Sequence, residues 1–490
     1  MSALDPLPES MRAFETALAA GVYAYTVGRF DDAQTAFCGA ARVAPQRPEP
    51  LNGLGMVAAM LGDHHAAATA YRQAIALAPG YPSAHSNLSA LELDRGECAA
   101  ALAYADTALA IAPEHIGALA NRAHALFRLG QIDAADAAFT QALRVDPRHA
   151  RTLLGQGAVC HLRGDDSGAL SAYRAAQSVD PSLWQAKLGE AEVLLARGDW
   201  LNAWPLYEAR LECFRATPST STSAPCWRGE PLAGRTIIVY AEQGLGDTMQ
   251  LFRYVPLLAA QGADVILQVQ PSLKRLLGRM TGARIVVARG DPLPPADFSI
   301  PLFSLPMRFS TTPASIPAAA QSLAPNKALM EQWKPRLDAA SRGATRRFGI
   351  VWSGSAINTL NGFRLPPLAS LEPLWAIPNT HWFALGHTHS PADRQSLSAT
   401  SNVTLQDLDD FEDPAAIVSQ LDGVISPCTA MAHLAGALGV PTWVMLAASA
   451  DWRWLRNRDD SPWYQSVRLV RQTDLGDWSS VVKRVVSAIA

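Results

Sequence analysis

Along the first 215 residues, small, aromatic and breaker positions recur with a period of 34. Alanine holds one register at Ala33, Ala67, Ala101, Ala135, Ala169 and Ala203. Four residues beyond each stand Phe37, Tyr71, Ala105, Phe139, Tyr173 and Tyr207. Gly21, Gly55, Ser89, Ala123, Gly157 and Ala191 keep a third register small, and Gly28, Gly62, Gly96, Gly130, Gly164 and Gly198 form a fourth. Prolines make a fifth at Pro45, Pro79, Pro113, Pro147 and Pro181, ending where Arg215 takes the sixth place. Such a unit predicts two antiparallel helices. The small residues let the helices approach, and the aromatic fills the gap between units. The glycine takes the left-handed cap that ends the first helix, and the proline cannot continue the second. Six units over residues 14–215 make a helical solenoid.

This 34-residue pattern is similar to the tetratricopeptide repeat (TPR), whose units stack into an array with a concave groove. The resemblance implies a polypeptide or partner protein held in that groove. Asn87 and Asn121 occupy equivalent positions on first helices, as candidate partners of a peptide backbone or as ordinary polar groove residues. The groove has no block of Arg or Lys, so a strongly acidic partner is not indicated.

Residues 216–225 read Ala-Thr-Pro-Ser-Thr-Ser-Thr-Ser-Ala-Pro, a breaker-rich stretch that opens a linker over 216–234. Beyond it the pattern changes to short apolar runs alternating with helical segments, as in parallel α/β domains. Predicted strands are 236–241, 264–269, 284–287, 348–352, 381–385, 423–426 and 442–446, with helices at Thr248–Leu258 and Thr429–Leu438. The Pro-rich, poorly periodic segment Pro292–Pro325 divides them into two Rossmann-like halves, 235–325 and 346–490, with a cleft between.

Composition narrows the class. The chain has 490 residues, 41 Lys and Arg against 44 Asp and Glu (net −3), with 17% charged and 49% hydrophobic residues. This excludes a disordered chain and a broad basic nucleic-acid surface. The longest uncharged run, Gly423–Ala450, is interrupted by Pro427, Gly436, Gly439 and Pro441 and parses as strand–helix–strand, not a membrane span. Asp5, Glu9 and Glu15 stand where a secretory leader would be apolar. The six scattered cysteines contain no CxxC pair, so a reduced, cytoplasmic protein with neither disulfide framework nor bound metal is expected.

Two loops carry candidate chemistry. Glu242-Gln-Gly-Leu-Gly-Asp247 follows a strand and opens a helix. Gly244 and Gly246 permit close backbone approach to a ligand, and Asp247 is either a helix cap or a general base. Ile425-Ser-Pro-Cys-Thr-Ala-Met-Ala-His433 leads a strand into a helix N-terminus, whose amides bind phosphate. Thr429 adds a hydroxyl there, and His433 is either a ligand contact or a buried helix histidine.

Together with Trp227-x-Gly-x-Pro-Leu-x-Gly234, Arg253-Tyr254, Asp451-Trp-Arg-Trp454 and Arg458-x-Asp-Ser-Pro-Trp-Tyr464, these segments resemble bacterial TPR-containing glycosyltransferases. Their catalytic half is similar to the heptosyltransferases of glycosyltransferase family 9. The resemblance implies a GT-B fold, with an acceptor half followed by a donor half. It implies inverting sugar transfer from a nucleotide-sugar to a protein acceptor, with Asp247 as base and no metal or other cofactor. Gly244, Gly246, Ser353, Arg364, His387, Cys428, Thr429, Ala430, His433, Asp451 and Trp452 would line the donor site. The chain departs from its relatives at Cys428, at the loop 353–364 with its single charge at Arg364, and at Gly386-His387. These departures keep two alternatives open: a non-catalytic TPR adaptor, and a transferase acting on a glycan or lipid-linked saccharide.

Overall fold

A computed structural model of the chain describes residues 9–213, 220, 222–318, 323–354, 364–386, 389–449 and 451–490. They form two compact units, residues 9–160 with 171–183, and residues 161–170 with 184–490.

The first unit is built from helix pairs: α1 (Glu9–Thr26), α2 (Phe30–Val43), α3 (Glu49–Met60), α4 (His64–Leu77), α5 (Pro82–Asp94), α6 (Cys98–Ile111), α7 (Ile116–Arg128), α8 (Ile132–Val145), most of α9 (Ala150–Leu162) and the C-terminal part of α10 (Asp166–Val179). The glycine register ends each first helix as expected, with φ between +76° and +87° from Gly28 to Gly198. Phe37 occupies the room left by Gly21 and by Gly53 of the next repeat: a Cβ there would lie 2.6 or 2.7 Å from its ring. Asn121 is buried, and its Nδ2 donates to Ser86 O at 2.8 Å; Asn87 Nδ2 donates to Asn52 Oδ1 at 2.8 Å. These bonds link successive repeats, so both amides, candidates for a peptide backbone or for ordinary polar groove residues, take part in stacking the array.

The second unit contains two parallel sheets. The first has the order β3-β2-β1-β4, from β1 (Thr236–Tyr240), β2 (Asp264–Val269), β3 (Ile285–Ala288) and β4 (Phe298–Pro301). The second has the order β10-β9-β8-β5-β6-β7, from β5 (Arg346–Ile350), β6 (Thr380–Ala384), β7 (Val403–Leu405), β8 (Gly423–Pro427), β9 (Thr442–Leu446) and β10 (Val467–Arg471). β4 lies inside the segment read as an aperiodic divider. Its four residues are too few to show a period, and pairing with β1 supplies what local pattern does not. β7 and β10 also escape the sequence reading, since β7 is three residues long and β10 carries Arg468 and Arg471.

α11 (Trp184–Arg197) and α12 (Trp200–Tyr207), the sixth repeat, belong to this second unit. Trp200 stacks on Trp463 at 5.3 Å, and Trp204 meets Trp452 edge-on at 5.7 Å, with Tyr207 and Phe303 closing the cluster. Trp204 Nε1 donates to Thr311 O at 2.8 Å. Buried Arg210, three residues past the end of α12, pairs with Glu242 at 2.9 Å, so the loop after β1 is tied to the turn that follows this helix pair. The last repeat is therefore core of the α/β body.

Trp204→Ala is expected to destabilise the second unit by about 3–5 kcal/mol, read by denaturant unfolding. A loss below about 1 kcal/mol would contradict the sixth repeat's place in that core.

Candidate functional site

In open parallel sheets, ligands gather beyond the strand C-termini where strand order reverses. β1 is that point in the first sheet, flanked by β2 and β4; β5 and β8 are that point in the second. The loop Ala241–Gly244 leaves β1, Val351–Gly354 leaves β5, and Cys428–Thr429 leaves β8. All three loops carry residues singled out in the sequence.

α13 (Leu245–Leu251) starts three residues earlier than predicted and stops at a 3-10 turn, Phe252–Tyr254. Asp247 is therefore the third helical residue, and Gly244 holds the cap position. The Asp247 Oδ2 accepts the Gly244 amide at 2.8 Å. Its Oδ1 accepts from Arg453 Nη2 at 2.7 Å. Arg453 is buried and forks onto both Asp451 oxygens at 2.9 and 3.0 Å, while its Nε donates to Gln250 Oε1 at 2.9 Å. One guanidinium thus binds carboxylates from both halves of the α/β body. Burial opposes the Asp451 charge, but Arg453 and Arg364 outweigh it and bring the carboxyl down to about 2.

Opposite Asp247 stands α16 (Ala430–Ala437), counting α14 (Lys327–Ala340) and α15 (Glu412–Val418) between them. A Cβ at Gly246 would lie 2.9 Å from His433 Cδ2 and 3.3 Å from Ala430 Cα, so only glycine permits this approach. The first-turn amides of α16, at Ala430 and Met431, precede its internal hydrogen bonds and form the positive end of the helix. Thr429 Oγ1 lies 2.9 Å from Ser426 Oγ. Arg364 Nη2 donates to Cys428 O at 3.3 Å, setting a cation beside that helix end. Half-buried Ser353 adjoins it, since a Cβ at neighbouring Gly354 would reach within 3.8 Å of Thr429 Cγ2. A helix N-terminus flanked by an arginine and a hydroxyl is equipped for a phosphate group.

Residues 18–82, 61–116 and 121–183 match a family model described as a tetratricopeptide repeat. The N-terminal array consists of tetratricopeptide repeats. Over 312 residues the chain is 25% identical to "Protein FlbA" of Caulobacter vibrioides, covering 58% of this chain and 52% of that protein. The chain thus spans about half the length of the curated relative it matches. Among solved structures, a thermophilic TPR protein of Thermus thermophilus is 26% identical, with 37% of this chain and 100% of that one covered and a TM-score of 0.33. Pseudomonas aeruginosa pilF is 14% identical, covering 44% and 96% of the two chains, with a TM-score of 0.36. Tetratricopeptide arrays are extended concave surfaces that bind partner proteins.

The structure brings Gly244, Gly246, Asp247, Arg364, Cys428, Thr429, Ala430 and Asp451 together around the Arg453 pair and the α16 end. His433 sits against them in a packing role: its Nδ1 lies 2.9 Å from Tyr464 Oη and its ring stacks on Trp454 at 5.3 Å. Trp452 is 3% exposed and walled in by the aromatic cluster of the sixth tetratricopeptide repeat, so its indole face is covered by protein. His387 and residues 355–363 lie outside the described residues. Among the described residues, no group of three or more His, Cys, Asp or Glu side chains could hold a metal ion. No described helix is long and apolar enough to cross a membrane.

Two residues escaped the sequence reading. Arg453 lay inside a quoted motif, but nothing local distinguished it from a surface arginine. Glu192 on α11 had a visible signal: its repeat register is otherwise Val22, Met56, Ala90, His124 and Ala158, without a carboxylate. Burial pushes the Glu192 carboxyl up to about 7, with the Asp451 charge adding to the effect and Arg453 opposing it.

Burial, reinforced by nearby Arg453, brings the His433 imidazole down to about 3. Unfolding restores its ordinary value of about 6.5, so between these limits the unfolded chain holds the extra proton and stability falls as pH drops. His433→Gln is expected to narrow the gap between melting temperatures at pH 7 and pH 5. An unchanged gap would show that the imidazole is not held neutral. Arg453→Met leaves two carboxylates facing each other and is expected to cost roughly 3–5 kcal/mol, measured by chemical denaturation at neutral pH.

Proposed function

We propose that the α/β body is an inverting glycosyltransferase of GT-B type, taking a nucleotide-sugar as donor and a protein held by the repeat array as acceptor. The observation that carries the reading is the meeting of Asp247 and the α16 N-terminus at the switch points of two parallel sheets. Asp247, in the first turn of α13, would face an acceptor hydroxyl; the α16 end, with Thr429 and neighbouring Arg364, would face a departing phosphate. The resemblance in sequence order, from Trp227 to Tyr464, supports the same assignment. Negative charge that develops on the leaving phosphate would be met by fixed helix amides and a guanidinium, with no metal required.

The charges also favour a particular donor. Arg453 is occupied by Asp247 and Asp451, which leaves Arg364 and the helix end to face the phosphate. One cation suits a donor with a single phosphate charge better than a diphosphate, since unpaired charge in a cleft is costly.

A thermal-shift panel of CMP-, UDP-, GDP- and ADP-sugars tests the reading. The expected outcome is stabilisation, largest for the CMP-linked donor: about 2.7 kcal/mol at a hundredfold excess over Kd. Absence of any shift would favour the adaptor, in which the α/β body only binds. Asp247→Asn is expected to reduce transfer at least tenfold while leaving donor stabilisation intact; full turnover would remove Asp247 from the mechanism.

A further inference from the structure

A cavity of about 550 Å³ opens beside the segment that follows the 3-10 turn Trp452–Trp454, and no residue given a donor or acceptor role above lines it. The second unit supplies the whole wall: Asp166 at the start of α10, Ala196 and Arg197 at the end of α11, and residues 455–458 with Asp460 on the way to β10. Among these described residues only Ala196 and Leu455 are apolar, and none carries an aromatic ring.

Backbone strain is concentrated in this wall. Leu455 and Asn457, on either side of Arg456, both hold left-handed conformations, with φ of +52° and +55°. A leucine disfavours that region, so its neighbours have to enforce it. Arg471 of β10 donates through Nη2 to Trp454 O at 2.8 Å and also to Leu455 O, while Ala196 O accepts the Arg456 amide at 3.0 Å. The pinned segment brings Arg456 and Arg458 to the same cavity as Arg197.

The three guanidinium groups are incompletely matched. Arg458 forks onto Asp460 at 2.7 and 2.8 Å. Arg456 Nη2 stands 2.8 Å from Asp166 Oδ1 without hydrogen-bond alignment, and its buried Nε has no partner among the described residues. Arg197 is exposed, and no described residue pairs with it. Nearby Arg471 also has an unpartnered buried Nε; burial and the charges of Arg456 and Arg458 outweigh Asp459 and bring its guanidinium down to about 10. Three arginines against two aspartates leave the lining positive.

A positive, polar cavity much larger than a single phosphate group, with no ring on which a base could stack, suits a hydroxyl-rich anion. Arginine forks hold a phosphate or carboxylate bidentately, and Asn457 with the aspartate oxygens can accept from hydroxyls. We propose that this cavity is a second ligand site, separate from the donor site, that binds a sugar phosphate or sugar acid through Arg197, Arg456 and Arg458. The inference does not depend on the glycosyltransferase reading.

Isothermal titration calorimetry on the full chain tests it with glucose 6-phosphate, glucuronate, inorganic phosphate and glucose. At least one of the two sugar anions is expected to bind at millimolar concentration or below, about tenfold or more tighter than inorganic phosphate and than uncharged glucose. Arg197 is exposed and Arg458 half-buried, so Arg197→Gln and Arg458→Gln should keep the wild-type melting temperature. Each is expected to weaken binding of that sugar anion at least about tenfold, whereas Arg364→Gln, at the α16 end, should leave it unaltered. Affinity retained in both cavity variants, or lost instead in Arg364→Gln, overturns the site, as does failure of both sugar anions to bind. Equal affinity for inorganic phosphate overturns the saccharide assignment.

Discussion

Burying one arginine between two sheets constrains the whole α/β body. The Arg453 guanidinium cannot lose its proton and cannot be left unpaired away from water. All three of its nitrogens are engaged, and by residues of both halves: Gln250 and Asp247 from the first, Asp451 from the second. Any rearrangement that separates the halves strips a buried cation of its partners. The site geometry follows from this requirement. It sets α13 against α16 closely enough that only glycine fits at 246, and it holds the Asp247 carboxylate opposite the N-terminus of α16.

The array was legible almost residue by residue, because stacking repeats impose the same packing problem every 34 residues and each solution leaves the same mark. The left-handed glycines and the aromatics over small residues lie where periodicity puts them. The sheets were legible only where strands are long and buried on both faces, as at Ile237–Val239 or Gly423–Pro427. β4 and β7 owe their existence to neighbours distant in sequence, and no local pattern encodes that. Among site residues, position in a strand-to-helix loop was readable at Asp247 and Thr429, whereas commitment was not. Whether an asparagine faces a peptide or the next repeat, or a tryptophan faces a ligand or another tryptophan, is decided by tertiary packing alone. Asn121 and Trp452 both turned inward.

The aromatic cluster explains why the compositional break at residue 216 is not the physical one. A Ser/Thr/Pro stretch marks a change of backbone pattern, but cores divide where apolar surface stops being shared. Trp200, Trp204 and Tyr207 bury their rings against Trp452, Trp463 and Phe303, and rings of that size dominate local energetics. A polar pair, Arg210 with Glu242, fastens the turn just after these helices to the loop that leads to Asp247.

Division of the compact units near residue 184 has an evolutionary corollary. Duplication or loss of whole 34-residue units upstream of residue 161, where the second unit takes its first residues, changes the length and lining of the binding surface without touching any contact around Arg453. Target choice can diversify by copying modules, while the sixth repeat, locked to the sheets by its tryptophans, is barred from that exchange and must evolve with the chemistry it touches.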